Sequence, residues 1–215
     1  MALTFPLSLE VFSDLLWVEN ATFYPERNDQ LSGLGNGQPL NAELASPLWR
    51  VDITTAPIPN DDAEAVAALV EVLERPGNDF YVTNPRKTEP RSQMDLTGFT
   101  PKLGTIQPNN HQLAITDLPP GFVLSRGDMF AFEYGPVGQK RRALHRFVEG
   151  ATATAGGTTT AIEVFPHIRA GAEVGALVTL VRPAMRAKII PGTYKPAGYG
   201  ALHQRMTFSA IQKLF

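Results

Sequence analysis

The chain has 215 residues, 43% of them hydrophobic and 19% charged, and its formal net charge is −2 at pH 7. This composition is typical of a folded protein and gives no overall electrostatic reason to bind nucleic acid or acidic membranes. Cysteine is absent, which excludes disulfides and thiolate catalysis and agrees with synthesis in a reducing cytoplasm. We expect no export signal and no membrane span, because the pattern of a signal peptide and a run of roughly 20 apolar residues are both missing.

The first 47 residues divide into an apolar part and a polar part. Residues 7–24 are rich in Phe, Val, Leu and Trp, including Phe12 and Trp17, and this composition predicts one or two strands. Residues 25–47 are polar and glycine-rich, which predicts either an exposed loop or a long hairpin with a mobile tip.

Residues 48–85 predict a strand, a helix and a second strand, around which the rest of the chain is organised. Trp49, Val51 and Ile53 alternate with polar residues, as in a half-buried strand. Residues 80–82 predict the short strand that follows the helix.

The helix is predicted at about residues 61–75. Either Asp61 or Asp62 could cap its N-terminus, and Glu64 stands where a capping box places an acidic residue. The predicted core stripe has the spacing i, i+3, i+4, i+7 and consists of Val66, Leu69, Val70 and Leu73. Since this helical period is found nowhere else at similar length, we expect this to be the only long helix.

The remainder of the chain predicts β structure. From about residue 101 to residue 185 several short strands alternate with turns, which favours a small β-barrel or sandwich. Met206, Phe208 and Ala210 then alternate with polar residues and predict a final strand, which needs the first sheet as its host. The predicted fold is therefore mainly β, with a discontinuous domain of residues 1–97 and 186–215 and an inserted β-barrel domain of residues 98–185.

No motif in the sequence predicts catalysis, a cofactor or a metal site. The four histidines, His111, His145, His167 and His203, have neither the i, i+4 spacing nor the acidic neighbours of a zinc site. The glycines of residues 33–37 are not followed by a helical pattern, so they indicate a flexible tip rather than a nucleotide-binding loop. The basic residues 140–142 are interpreted as a solvated shoulder of a hairpin, with a phosphate contact as the alternative.

The order of these segments is informative. A strand ending in WRVDI precedes a proline turn and a helix that leads into RPGNDFYV, and a β-only region contains LSRGDMFAFEYG, RRALHRFVE, IEVFPHIR and GALVTLVRP. In this order the segments resemble distal tail proteins of long-tailed bacteriophages and of the related gene transfer agents. The resemblance extends over residues 45–215 and is weakest in residues 1–45.

The resemblance implies a virion structural protein with the tail-tube fold, a β-sandwich or barrel with one packed helix. Such proteins form a homo-hexameric ring at the distal end of the tail tube and join the tube protein to baseplate hub or tail fibre proteins. Genomic DNA passes through the lumen without specific binding, and assembly takes place in the bacterial cytoplasm. The resemblance carries over no catalytic, cofactor-binding or metal-binding residue and implies that the protein is not an enzyme.

A ring-forming subunit needs a surface that meets its neighbour, and residues 30–44 are the candidate. This segment has too little apolar content to fold on itself and is too long for an idle turn. We therefore predict that it becomes ordered against a neighbouring subunit or the tube. The predicted contact residues are Leu31, Leu34, Asn36 and Gln38.

Two other functions remain open at this stage. One is a different tail component, a tube or terminator subunit, although plain tube subunits usually lack an insertion of this size. The other is a carbohydrate-binding β-module that presents an aromatic platform. The platform residues would be Phe130, Phe132, Tyr134 and Phe147, which the alternating pattern also predicts as core.

Overall fold

The computed structural model describes residues 3–33, 35, 37–136 and 138–214. Within these residues the protein is mainly β, with one α-helix and a nearly closed barrel-like sheet, which confirms the predicted fold class. The first half of the chain contains β1 (Val18–Gly33), β2 (Pro39–Thr55), β3 (Ile58–Pro59), α1 (Asn60–Leu73), β4 (Phe80–Thr83), β5 (Lys102–Ile106) and β6 (Gln112–Thr116). The second half contains β7 (Val123–Leu124), β8 (Met129–Tyr134), β9 (Arg141–Phe147), β10 (Ala151–Thr152), β11 (Ile162–Phe165), β12 (Val178–Thr179), β13 (Ala184–Ile189), β14 (Lys195–Tyr199) and β15 (His203–Gln212).

The main sheet is antiparallel and has the order β1-β2-β15-β13-β4, with β14 and β3 also paired to β15. The predicted final strand is therefore its central strand, and Met206, Phe208 and Ala210 face the core as the alternation indicates. Strand β14 pairs with β15 although its sequence has no strand pattern. Its residues are exposed throughout and include Pro196, so they show no alternation that could predict a strand.

Helix α1 packs against β15 and β3 with one face buried. Val66, Val70 and Leu73 of the predicted stripe are buried, whereas Leu69 is only partly buried and packs at the margin of the core. Ala63, one turn before Val66, completes the buried face.

The predicted ends of α1 need correction. The helix begins at Asn60 and ends at Leu73, and Pro59 occupies the N-cap position without any side-chain hydrogen bond. Proline fixes a backbone angle that suits a helix start, so the helix begins before either aspartate can act as a cap. Asp61 and Asp62 lie in its exposed first turn, and Glu64 instead accepts a hydrogen bond from Gln204.

Residues 7–17 are largely not strand, contrary to the prediction of one or two strands over residues 7–24, whereas residues 18–24 do lie in β1. A short 3-10 helix spans Ser13–Leu15, and β1 begins at Val18. Leu7 forms an isolated parallel bridge with Phe80, and Phe12 packs edge-on against the same ring at 4.9 Å between centroids. Leu7 and Phe12 thus cover the core beside β4, which explains why both are apolar.

The second sheet has the order β12-β8-β9-β11-β6-β5, and β7 pairs separately with β10. It encloses its own apolar core, in which Phe122, Phe130 and Phe147 are fully buried. Strand β13 pairs with β4 and β15 in the main sheet. It therefore crosses the boundary predicted at residue 185.

Side chains from both sheets meet in one continuous joint. Met129, Ala131 and Leu144 of the second sheet belong to the core of the main sheet. The indole Nε1 of Trp49 donates a hydrogen bond to the carbonyl of Leu144 at 2.7 Å, and Nε of Arg142 donates to the carbonyl of Ala184 at 3.0 Å. The two sheets thus share buried contacts as well as a chain connection.

Candidate functional site

Strands β1 and β2 form a hairpin that continues beyond the body of the protein. We call residues 28–45 the arm, and residues 18–27 with 46–55 the root. In the arm, pairing runs from Asn28 opposite Ala45 to Gly33 opposite Pro39. At about 3.3 Å per residue this section is roughly 20 Å long. The segment for which a loop or a hairpin had been predicted is therefore a hairpin.

Three leucines of the arm are exposed to solvent. Leu31 is 72% exposed, Leu40 52% and Leu44 62%. Leu44 lies at the register irregularity between the pairs Asp29–Glu43 and Asn28–Ala45, where the alternation of faces is interrupted. Leu40 is opposite Ser32 and lies on one face of the hairpin. Leu31 is opposite Asn41 and so lies on the other face. The protein's own core therefore covers neither face of the arm at these leucines.

Two of the four predicted contact residues lie in the described part of this arm. Leu31 lies near the end of β1, and Gln38 is exposed immediately before β2. Leu34 and Asn36 lie outside the described residues. Sequence reasoning missed Leu40 and Leu44, and their spacing of four in a polar stretch was the available signal.

In the root, the inward face of β2 is tightly packed. Trp49, Val51 and Ile53 are at most 2% exposed. Its opposite face is polar: the Tyr24 hydroxyl donates to Asp52 at 3.0 Å, and Arg50 lies 3.3 Å from Glu26. The arm therefore projects from a rigid base.

Side chains that follow β11 contact the hairpin on both sides of the boundary between root and arm. Nη2 of Arg169 donates to the carbonyl of Pro47 at 3.1 Å, and Nε2 of His167 lies 3.5 Å from a carboxylate oxygen of Glu43. The ring of His167 packs edge-on against His111, with the ring centroids 3.8 Å apart. Two histidines that are distant in the sequence are thus neighbours at this position.

His145 is fully buried in the second core between the rings of Phe130 and Phe132. Burial lowers its pKa to about 4, so the imidazole is neutral at pH 7. Its Nδ1 lies 2.8 Å from the carbonyl of Pro166 and donates to it. This is a structural role, and the remaining histidine, His203, is exposed at the start of β15.

The four residues of the predicted carbohydrate platform are core residues. Phe130, Phe132, Tyr134 and Phe147 are each at most 3% exposed. Phe130 stacks on Phe147 with the ring centroids 4.4 Å apart. Since their faces are covered by one another and by His145, these rings offer no platform for a sugar.

The other charged motifs also have structural roles. Asp128, in the sequence Arg-Gly-Asp, is fully buried and pairs with Lys87 at 2.6 Å. Arg142 of the basic run stacks over the ring of Tyr81 in addition to its contact with Ala184. Among the described residues, no group of three or more acidic or histidine side chains could hold a metal ion.

Comparisons with known proteins give no family model and no curated protein that matches this chain. Within the described residues, no helix has the length and apolar character needed to cross a membrane. The candidate functional site is the arm, because its three leucines are exposed to solvent.

Proposed function

We propose that this protein is a virion structural subunit that assembles into a homo-hexameric ring at the distal end of a phage tail tube. The observation that carries the proposal is the projecting arm with exposed leucines on both faces. The mainly β architecture with one packed helix supports it, because the resemblance to distal tail proteins implies such a fold. In this role the ring joins the tail tube protein to baseplate hub or tail fibre proteins.

The arm is suited to contact another subunit rather than to remain in solvent. An isolated two-stranded hairpin is marginally stable in water, and each exposed leucine gains on the order of 1.5–3 kcal/mol when fully buried. Among the described residues β1 pairs only with β2, so its outer edge offers unpaired backbone groups along the arm. A long open edge of this kind is usually covered by a partner.

The position of the arm favours a head-to-tail ring. An arm that extends away from its own body and binds a different surface of the next subunit makes the interface heterologous. Such interfaces close into rings when the rotation between subunits is a fraction of a full turn.

The uncovered face of the main sheet suits a DNA passage without specific binding. Asp52 accepts hydrogen bonds from Tyr24 and Ser209, and Arg50 pairs with Glu26. Acidic and basic groups are thus interspersed and paired. A surface of this kind lacks the clustered cations that neutralise phosphates.

Electron microscopy of the purified protein tests the proposal. We expect sixfold rings with a central hole wide enough for duplex DNA. In the test variant, Asn-Gly replaces residues 30–42 and connects Asp29 directly to Glu43, which are paired in the hairpin. An Asn-Gly turn closes a two-residue hairpin without strain. This variant should remain a folded monomer and should not form rings.

The matched control is Val174→Ser, which removes an apolar side chain that is 67% exposed in the second sheet's region, outside the arm. Rings should form normally in this variant. Wild-type protein that stays monomeric at high concentration, and that is also missing from purified virions, would refute the proposal. Rings that stack into long tubes would instead indicate a tube subunit.

A further inference from the structure

The end of the main sheet that lies opposite the arm carries exposed apolar side chains. Strand β2 runs from Pro39 in the arm to Thr55, and Val18 pairs with Thr55 at this far end. At about 3.3 Å per residue, roughly 30 Å of strand separates the far end from the arm. The turn between β14 and β15 lies at the same end, because β15 pairs with β3 directly after the turn.

Three apolar residues are exposed at the far end, and we call them the foot: Trp17, Tyr199 and Leu202. Trp17 is 52% exposed, Tyr199 55% and Leu202 71%. The carbonyl of Trp17 accepts a hydrogen bond from the backbone N–H of Ala56 at 2.6 Å, and that of Leu202 accepts one from the backbone N–H of Asn60 at 3.1 Å. The foot is therefore an apolar surface on a fixed backbone.

Arg205 on β15 connects the parts of the foot. Its Nη2 lies 2.9 Å from a carboxylate oxygen of Glu19, two residues after Trp17. The same guanidinium lies over the ring of Tyr199, 5.3 Å from the ring centroid. The start of β1 and the end of β14 thus contribute to one surface.

The composition of the foot is typical of a protein interface. Trp, Tyr and Arg are the residue types that most often dominate the binding energy between proteins. The chain has two tryptophans, and the other one, Trp49, is fully buried. A half-exposed tryptophan beside an exposed tyrosine and leucine is a surface that a partner covers.

The arm of a second copy matches the foot in chemistry and in size. Both surfaces carry three exposed apolar side chains. Because arm and foot lie at opposite ends of one sheet, a subunit cannot place its arm on its own foot, and a contact between them is heterologous. A stable interface takes roughly 20–30 residues from each partner, and the arm, residues 28–45, approaches that number.

The charges beside the foot suit the base of the arm. Asp61 and Asp62 lie in the exposed first turn of α1, and within the described residues neither forms an ion pair. Arg27, next to the arm, has a side chain that is 62% exposed and lies 3.7 Å from Asp29. A guanidinium has five N–H donors, so Arg27 has donors left for a carboxylate of a second copy.

We infer that the foot receives the arm of a second copy of this chain. Trp17 and Leu202 pack against the leucines of that arm, and its Arg27 faces the carboxylates at the start of α1. The inference rests on the proposed function, because it names the surface that the arm contacts in the ring. Each subunit donates its arm to one neighbour and receives the arm of the other neighbour on its foot.

Two variants that each lack one half of the contact test the inference when they are mixed. The arm variant carries Leu31→Ser, Leu40→Ser and Leu44→Ser, and the foot variant carries Trp17→Ser and Leu202→Ser. Each variant alone should associate at least tenfold more weakly than the wild type in analytical ultracentrifugation. An equimolar mixture should form dimers and nothing larger, because each pair retains one intact arm and one intact foot that can meet.

The matched control is Leu177→Ser, which removes a leucine that is 65% exposed outside both surfaces and should associate like the wild type. If the foot variant fails to fold, Leu202→Ser alone replaces it, since Leu202 lies in a turn. A folded foot variant that associates normally, or a mixture without dimers while the wild type assembles, would overturn the inference and leave the proposed ring intact. Wild-type protein that stays monomeric at high concentration would overturn both.

Discussion

The root and the arm of the β1–β2 hairpin consist of the same two strands in two different environments. In β2, every second residue from Trp49 to Thr55 is buried, whereas residues 39–45 are all exposed. The pairing between the strands continues through both parts, with irregular register near Asn28. The backbone pairing thus continues through both parts, while the inward side chains of β2 change from buried to exposed.

The difference shows what hydrophobic alternation reports. Alternation marks a strand face that the same chain covers, as at Val51 and Ile53. The arm carries leucines without alternation, on both faces, and its own chain covers neither. Under the proposed function, the surface that covers these leucines belongs to another subunit.

The largest expected effect comes from truncating Trp49, the largest buried side chain of the root. Trp49→Ala should lower the free energy of unfolding by about 4 kcal/mol, because Trp49 is fully buried and its indole bonds Leu144 across the joint. Leu44→Ala, in the arm of the same strand, should change it by less than about 0.5 kcal/mol. Urea denaturation of the two variants measures the contrast, and equal losses would contradict the division into root and arm.

Acid should weaken the body of the protein through His145. Its pKa is about 4 in the folded protein and near 6.5 when unfolded, so below pH 6.5 the unfolded state binds the proton first. The contribution of the buried neutral imidazole is complete above pH 6.5 and is lost as the pH falls to about 4, with a total of about 3 kcal/mol. Urea denaturation between pH 7 and 4.5 measures the slope.

His145→Gln is the control for this pH dependence. It should flatten the part of the slope between pH 6.5 and 5, where few carboxylates titrate. An unchanged slope in His145→Gln would assign the acid sensitivity to other groups.

A smaller loss is expected just before β4, at the edge of the main sheet opposite β1. Asp79 is fully buried and accepts hydrogen bonds from Arg186 at 2.8 Å and from Lys213 at 2.9 Å. Asp79→Asn leaves two cations facing a neutral amide. Since both cations are partly exposed, we expect a loss of about 2 kcal/mol rather than the full cost of breaking a buried pair. Asp61→Asn in the exposed first turn of α1 should cost far less, and thermal melts compare the two.

The smallest effect on stability should come from the arm itself. The triple variant Leu31→Ser, Leu40→Ser and Leu44→Ser should keep the unfolding free energy of the monomer within about 0.5 kcal/mol of the wild type. Its association should nevertheless be reduced in analytical ultracentrifugation. Normal association of this variant would show that the leucines of the arm are not required for assembly, even if the protein forms rings.

Much of the main sheet could be predicted because burial imposes a period on the sequence. The alternation of Trp49, Val51 and Ile53 and that of Met206, Phe208 and Ala210 predicted two strands that are indeed hydrogen-bonded neighbours. The apolar stripe predicted α1 for the same reason. Its exact start could not be predicted from the aspartates, because Pro59 already fixes the backbone there.

The remaining features depend on contacts that leave no local period. Strand β14 is exposed on all sides, and the arm pairs through its backbone, so neither has an alternating pattern. The proximity of His111 to His167 depends on how distant strands pair. Leu7 and Phe12 looked like strand residues because covering a core and lining a sheet require the same apolar side chains.

The pairing of β4 with β13 has a consequence for how this architecture can be altered. Thr83 and Ala184 are direct partners, so the chain leaves the main sheet for the second sheet and returns to it at one point. In geometric terms the intervening segment could be exchanged for a different module, or replaced by a short turn, without shifting a strand. The exchange is constrained by Trp49, whose indole N–H and apolar surface would lose the Leu144 carbonyl and its neighbours. A compatible replacement segment therefore has to offer one hydrogen-bond acceptor for the indole N–H of Trp49 and an apolar surface that covers this side chain.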